Sequence, residues 1–192
     1  IQMTDDEYGT SFIAYNYFEC ESEFLTKGPH LGVYPQQHIL LEDATDVQIG
    51  ASGNATNTFT DIYSGIKVVR SNVFIRTSHF EYLKNNNVIP PQQGIGIITE
   101  NSSAVACTLE VGMTTRFNNL NRGIFSQGNF DINIHDCHYF EDIDGEAISI
   151  NSLNYSNTII IEDVEDFINT NIGVRVSGSN LSSVTVSNNK FT

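Results

Sequence analysis

The chain has 192 residues, of which 40% are hydrophobic and 17% are charged, and 23 acidic against 9 basic side chains give a formal net charge of −14. This composition suffices for one sizeable core, so we expect a single domain over residues 1–192. The acidic balance argues against nucleic acid and anionic membrane surfaces as partners, because both attract clustered cations. No segment approaches the roughly 18 consecutive apolar residues of a membrane span, so no membrane insertion is expected.

The N-terminal stretch follows the later sequence pattern only loosely. It begins IQMTDDEYG, without an initiator methionine and without the basic and apolar regions of a signal peptide. This start is typical of a mature product or of a piece of a larger protein. Because the chain also stops in mid-phrase, after VSNNKFT, we expect a fragment of a larger exported protein. Phe24 and Gly32 lie two residues further apart than the spacing that dominates later. Residues 12–44 are accordingly interpreted as an irregular first repeat, and residues 45–192 as regular repeats.

A nine-residue phrase recurs through the rest of the chain. It reads FTDIYSGIK, FNNLNRGIF, FEDIDGEAI and FINTNIGVR, beginning at Phe59, Phe117, Phe140 and Phe167. A glycine follows the phenylalanine by six residues in three copies, whereas Gly145 comes one place early and Phe80 reaches Gly94 only after the insertion NNNVIPPQ. These glycines define a repeat of about 22–29 residues, and the chain ends as a further phenylalanine, Phe191, begins another copy.

Alternating aliphatic residues flank each phrase, which predicts strands because side chains at every second position share one face. The pairs are Val73 and Ile75, Ile132 and Ile134, Ile159 and Ile161, and Val184 and Val186 before the phenylalanine, and Ile66 and Val68, Ile95 and Ile97, and Val174 and Val176 after the glycine. A constant phrase disfavours a sandwich, and the short period disfavours a propeller. We expect coils stacked in parallel, with Ile66, Ile95, Ile124 and Val174 touching one another in the core.

This pattern of strand, asparagine-rich corner, phenylalanine and Gly-Ile resembles the right-handed parallel β-helix repeat of pectate-lyase-like proteins. The resemblance covers residues 45–192 and, more weakly, 12–44. It implies an all-β fold, a right-handed single-stranded parallel β-helix of about six coils, and a bacterial secreted or cell-surface protein. Such coils occur in polysaccharide lyases, glycosidases, phage tailspikes and bacterial adhesins, so the fold alone does not select a function.

The position two residues after each glycine predicts an exposed line along the solenoid. Its members are Lys67, Gly96, Phe125, Ile148 and Arg175. An aromatic ring between two cations suits an acidic polysaccharide or surface glycan, with a sugar stacked on Phe125, so Lys67, Phe125 and Arg175 are the candidate ligand-binding residues. The early Gly145 leaves an alternative register, in which Ile148 is buried.

The acidic stretch HDCHYFEDIDGE, residues 135–146, offers a candidate metal site. Asp142, Asp144 and Glu146 place three carboxylates around a glycine, and calcium favours several oxygen ligands from a tight turn. Calcium is therefore the one cofactor considered. The alternative is structural, because Asp or Asn recurs two residues after the phenylalanine and suits tight corners without any metal.

Catalytic signals are weak by comparison. Asp136 and Asp163 each lie four residues before a phenylalanine, so in stacked coils they would be neighbours, as paired carboxylates are in glycosidases. The Asp pairs, Gly-His-Gly and Arg-x-Lys cluster of β-helix glycosidases does not occur in the sequence. We expect a non-catalytic extracellular or cell-surface module, a stalk or adhesin-like segment whose partners include a glycan and the rest of a parent chain or export machinery. A β-helix polysaccharide lyase or glycoside hydrolase is the alternative.

Overall fold

A computed structural model describes residues 2–3, 12–13, 16–18, 37–51, 56–60, 64–81, 94–152 and 155–192. Within these ranges the chain forms strands, turns and bends. Among the described residues no helix is long and apolar enough to cross a membrane.

The strands of the described residues, numbered in chain order, form three sheets. Sheet 1 contains β1 (Gln2–Met3), β4 (Ile39–Glu42), β7 (Ser64–Val69), β10 (Ile95–Asn101), β13 (Arg122–Gly128), β16 (Glu146–Asn151) and β19 (Ile172–Ser177). Sheet 2 contains β2 (Phe12–Ile13), β5 (Val47–Ile49), β8 (Val73–Arg76), β11 (Cys107–Gly112), β14 (Phe130–His135), β17 (Thr158–Glu162) and β20 (Ser183–Ser187). Sheet 3 contains β3 (Tyr17–Phe18), β6 (Asn57–Thr60), β9 (Ser78–Glu81), β12 (Arg116–Asn118), β15 (Tyr139–Glu141) and β18 (Asp166–Ile168).

Each strand from β1 to β17 pairs in parallel with the strand three places further along the chain, as β7 does with β10 and β10 with β13. One coil therefore contributes one strand to each sheet, and the next coil stacks on it. This arrangement confirms the predicted all-β parallel solenoid, with a number of coils close to six. Its right-handedness stays a prediction from the family resemblance.

The predicted aliphatic column is right in three of its four members. Ile66 pairs with Ile97, Ile97 with Ile124, and Ile124 with Ile148, which in turn pairs with Val174. Ile95 is wrong for this column, because it pairs with Ser64 and Arg122. The insertion before β10 shifted the count by two residues, so Gly96 rather than Gly94 takes the repeat's glycine position.

Phenylalanines stack along the whole solenoid. Neighbouring rings are 4.5–5.1 Å apart and within 3–9° of parallel. The stack consists of Phe18, Phe59, Phe80, Phe117, Phe140, Phe167 and Phe191. Aromatic pairs in favourable geometry contribute about 0.5–1.5 kcal/mol each beyond their buried area, so the repeated phenylalanine is a structural element of every coil. The expected first member, Phe24, lies outside the described residues.

The glycine of the phrase makes room for this stack. A Cβ atom added at Gly65 would lie 2.7 Å from the ring of Phe80, and one added at Gly96 would lie 2.7 Å from the ring of Phe117. Real Cβ atoms do not approach other atoms so closely, because dense cores leave no such overlap. Phenylalanine and glycine thus recur together because the ring of one coil packs over the glycine of the preceding coil.

The corner residues adopt the backbone conformation that the turn interpretation requires. Asn119, Asp142 and Asn169 have φ values of 55°, 53° and 49°, in the left-handed region that Asn and Asp tolerate best among residues with a side chain. The fourth predicted member, Asp61, lies outside the described residues. Local backbone geometry therefore accounts for the Asp and Asn of this column.

Candidate functional site

The predicted ligand-binding residues lie on the outer face of sheet 1. Register places Lys67, Phe125 and Arg175 in one column, which runs Leu40, Lys67, Ile98, Phe125, Ser149 and Arg175 along the solenoid. One coil separates each of the three from the next, and because adjacent strands lie 4.7–4.9 Å apart, the intervals are about 10 Å. Of the other two members, Gly96 is wrong because it occupies the glycine position beneath the ring of Phe117. Ile148 is fully buried, as the alternative register predicts.

Lys67 and Phe125 are engaged by neighbours within the protein. The Nζ atom of Lys67 lies 2.9 Å from Oε2 of Glu100, which belongs to the next coil. The guanidinium group of Arg122 lies 4.7 Å from the centre of the Phe125 ring, which is cation–π geometry. A ligand on this face would therefore meet a covered ring and a lysine that already has a counter-ion.

Glu146 joins two arginines at the edge of the same face. The Nε atom of Arg122 donates a 2.7 Å hydrogen bond to Oε2 of Glu146, and Nη1 of Arg175 donates a 3.2 Å hydrogen bond to Oε1. The residue is only 8% exposed. Burial by itself raises the pKa of Glu146, but the hydrogen bonds from Arg122 and Arg175 and the positive charge of Arg122 outweigh it and hold the pKa below its usual range.

The sequence pattern identified Phe125 and Arg175 but not the link between them: Glu146 was considered only as a calcium ligand, and Arg122 was not a candidate. Arg122 precedes the glycine of the phrase, and Glu146 lies in the neighbouring coil. The sequence did contain one signal of this pairing. Arg122 and Glu146 occupy the same position relative to the aliphatic strand of their copies, and their charges are opposite. Their pairing becomes visible once Ile124 is aligned with Ile148.

The predicted calcium ligands are not assembled around one point. Glu146 binds the two arginines, and Oδ1 of Asp142 accepts a 3.1 Å hydrogen bond from Nδ2 of Asn169. Asp142 and Asp144 both lie exposed at the corner. Across the described part of the chain, no group of three or more His, Cys, Asp or Glu side chains is placed to hold a metal ion.

A groove of about 670 Å³ follows the corner between sheets 2 and 3, and it contains the carboxylates considered for catalysis. Asp136 and Asp163 both line it, and they follow His135 and Glu162, which are paired in register. The two acids are therefore neighbours on successive coils, as expected. Both are exposed and have φ values of 51° and 54°, so they are also corner residues of the same kind as Asp142.

Comparison of the chain with protein-family models, curated proteins and solved structures gives no match. The parallel β-solenoid is thus established by the strand pairing itself, independently of any relative.

Proposed function

We propose that the chain is a non-catalytic module of an exported bacterial protein, a rigid stalk or adhesin-like segment at the cell surface or outside the cell. The observation that carries this proposal is the use of charged side chains to connect successive coils. The acidic composition and the resemblance to secreted β-helix proteins support the location.

The cross-coil pairs occur on more than one side of the solenoid. On sheet 1, Lys67 pairs with Glu100, and Glu146 pairs with both Arg122 and Arg175. At the corner after sheet 1, Arg70 binds Asp43 with nitrogen–oxygen distances of 2.6 and 2.7 Å. On sheet 2, Nε2 of His135 lies 3.0 Å from Oε1 of Glu110. Charges arranged in this way reinforce the stack between neighbouring coils.

A rigid rod with a continuous aromatic stack suits a spacing role. In repeat proteins each coil contacts only its neighbours, so stability depends on the interfaces between coils. The phenylalanine stack supplies that interface inside, and the ion pairs supplement it outside. Exposed ion pairs contribute at most about 1 kcal/mol each, so the interior supplies most of the stability.

The outer face of sheet 1 is the part of this module that we propose contacts a glycan. Lys67, Phe125 and Arg175 form one column, which supports contact with a polysaccharide lying along the solenoid axis. The side chains of Glu100 and Glu146 compete for the same cations, so binding at each position is weak and affinity depends on several contacts along the chain of sugars. An acidic glycan is the expected class, because its carboxylates match the arginine and lysine groups.

A glycan array combined with a degradation assay tests both parts of the proposal. We expect signal from acidic polysaccharides to fall in a variant carrying Phe125→Ala and Arg175→Ala, and to stay unchanged in Thr185→Ala, a matched control on the outer face of sheet 2. No reducing ends and no unsaturated products are expected from the same polysaccharides. An array signal that the double variant leaves intact contradicts the glycan face.

The enzymatic alternative has its own diagnostic result. Release of sugar products that disappears in Asp136→Asn or Asp163→Asn would overturn the non-catalytic assignment and place the reaction in the groove between sheets 2 and 3. The two substitutions suit this purpose because both residues are exposed. Asparagine also tolerates their left-handed backbone, as Asn188 does in the next coil with a φ of 53°.

A further inference from the structure

A phenylalanine lies on the outer face of sheet 2 between polar neighbours. In register, Gln48 precedes Phe74 in the outer column and Glu110 follows it. Phe74 is half-buried, whereas Val73 and Ile75 on either side of it in β8 are buried in the core. Its ring therefore belongs neither to the aromatic stack nor to the aliphatic columns, and the packing of the core does not account for it.

A groove of about 390 Å³ lies beside this ring, at the beginning of β5, β8 and β11, and we call it the β8 groove. It crosses three coils and therefore spans about 10 Å, because adjacent strands lie 4.7–4.9 Å apart. Small-molecule sites have volumes of about 300–1,000 Å³, so the groove is large enough for a small ligand. Its polar and aromatic lining forms two columns, with Asp46, Asn72 and Thr108 in one and Gln48, Phe74 and Glu110 in the other.

Arg76 orders the ring of Phe74 from the side away from the groove. Its guanidinium group lies 4.7 Å from the centre of the ring, in cation–π geometry. Nη1 of Arg76 also lies 3.5 Å from Sδ of Met113. Arg76 is two residues beyond Phe74, whereas the groove is lined by residues 72–74 of this part of the chain. The ring thus separates Arg76 from the β8 groove and presents its other side to a ligand.

Three polar side chains of the β8 groove are each held in place at one end. Nε2 of Gln48 donates a 2.9 Å hydrogen bond to the carbonyl oxygen of Gly50. Oδ1 of Asn72 accepts a 2.8 Å hydrogen bond from a backbone N–H of β11, and Oε1 of Glu110 lies 3.0 Å from Nε2 of His135. The other ends are an amide oxygen, an amide NH₂ group and a carboxylate oxygen, which can bond hydroxyl groups. Because these side chains are already ordered, a ligand loses less entropy in binding them.

We propose that the β8 groove binds an uncharged sugar unit of a glycan. The apolar face of the sugar ring stacks on Phe74. Its hydroxyl groups bond the free ends of Gln48, Asn72 and Glu110. An aromatic wall with a few convergent polar groups is the usual construction of a small-molecule site. The carboxylates of Asp46 and Glu110 disfavour a sugar that carries its own carboxylate, because like charges repel. The groove is separate from the sheet 1 face, so it does not depend on binding of an acidic glycan there.

Neutral tetrasaccharides of glucose, mannose, galactose, xylose and N-acetylglucosamine provide the probes. We expect saturable binding of at least one of them to the full 192-residue chain. Saturation-transfer difference NMR with ligand concentrations up to about 10 mM suits this measurement, because an open groove binds weakly. Tetragalacturonic acid is the charged comparison, and we expect substitutions at Phe74 to leave any binding of this acid unchanged.

Substitutions in one outer column locate the site. Phe74→Leu removes the ring but keeps an apolar side chain, and we expect it to weaken binding of the neutral tetrasaccharide at least about tenfold. Phe74→Tyr keeps the ring and should keep the binding. Ile160→Ala is the control, because Ile160 lies in the same column three coils further along and outside the groove. Both positions are on the outer face, so the variants should fold, and far-UV circular dichroism checks this.

Four results would overturn the proposal. One is absence of saturable binding by all the neutral probes, and another is an equal loss of binding in Phe74→Leu and Ile160→Ala. The third is a loss in Phe74→Tyr as large as that in Phe74→Leu, because the ring would then not be the contact. The fourth is binding of tetragalacturonic acid that Phe74→Leu weakens as strongly, because the groove would then not select uncharged sugars. A failed array test of the sheet 1 face leaves the measurements with neutral probes unaffected.

Discussion

The middle coils and the C-terminal coil carry the same phrase but differ in what surrounds it. Phe140 is fully buried between the rings of Phe117 and Phe167, whereas Phe191 packs on one ring and is more than half exposed. The sequence around the two phenylalanines does not explain the difference. The neighbouring coil provides the burial, so the stability of a residue in this solenoid depends on how many coils cover it.

Truncating the aromatic stack should separate the two regions most clearly. We expect Phe117→Ala to lower the free energy of unfolding by about 3–5 kcal/mol, as for other buried phenylalanines, because it leaves a cavity between two rings. Phe191→Ala removes a ring that water already reaches, so its cost should be about 1 kcal/mol or less. Far-UV circular dichroism during urea denaturation would measure both changes.

Phe117→Leu is the control, because it removes the ring but keeps a hydrophobic side chain. Its loss in free energy of unfolding should lie between the losses of Phe117→Ala and Phe191→Ala. If Phe117→Ala and Phe191→Ala cost the same, burial by neighbouring coils does not determine stability here.

Adding a methyl group at the glycine position should give the next largest difference in stability between the middle coils and the last coil. A Cβ at Gly123 would lie 2.6 Å from the ring of Phe140 and 2.6 Å from the carbonyl oxygen of Ala147. Neither group can move, because further coils hold both in place. We expect Gly123→Ala to cost about 1–3 kcal/mol, as other overpacking changes do, measured by the same denaturation.

The equivalent change in the last full repeat should be tolerated. A Cβ at Gly173 would lie 2.5 Å from the ring of Phe191, but no backbone atom is among its three nearest neighbours. The ring of Phe191 is free to shift toward solvent, so Gly173→Ala should cost much less than Gly123→Ala. A similar loss in both variants would indicate that the last coil of these 192 residues is as rigid as the middle coils.

The fold was predictable because several signals agreed in each copy of the phrase. Alternating aliphatics indicated the strands, and the phenylalanine indicated the corner. The error at Ile95 arises where the sequence reads Gly94-Ile95-Gly96-Ile97 and offers the Gly-Ile pair twice. Both registers satisfy the pattern, and only packing against Phe117 selects Gly96 as the glycine beneath the ring.

The candidate site was less predictable than the fold. Lys67, Phe125 and Arg175 could be placed in one column because each follows a glycine by two residues. The counter-ions of Lys67 and Arg175 could not be placed from the sequence, because Glu100 lies beyond the insertion and Glu146 follows a corner with one extra residue. Side-chain pairing between coils depends on the register of both partners, so a shift that leaves the fold unchanged alters the electrostatics of the site.

The smallest expected effect concerns the pH dependence of stability. It involves two histidines, one beside the aromatic stack and one on the outer surface. His38 packs against the rings of Phe18 and Phe59, and burial lowers its pKa to about 4. Folding favours the neutral form of His38. Its contribution to the free energy of unfolding is therefore complete above pH 6.5 and is lost as the pH falls toward 4. His135 behaves in the opposite way, because carboxylates from two coils surround it.

Replacing His135 with glutamine should alter stability in a pH window set by this difference. Partial burial lowers the pKa of His135, but hydrogen bonds to Asp136 and Glu110 outweigh it, so its pKa lies above the ordinary 6.5. The charged imidazole therefore stabilises the fold fully below pH 6.5, and this contribution is lost as the pH rises through the pKa of the folded state.

A surface ion pair contributes at most about 1 kcal/mol, so the melting temperature at pH 6 should fall by about 2–4 °C or less in His135→Gln. The deficit should shrink toward pH 9. Because both proteins retain His38, its acid-side loss cancels in their difference, and a deficit that grows with pH would contradict the pairing of His135 with these carboxylates.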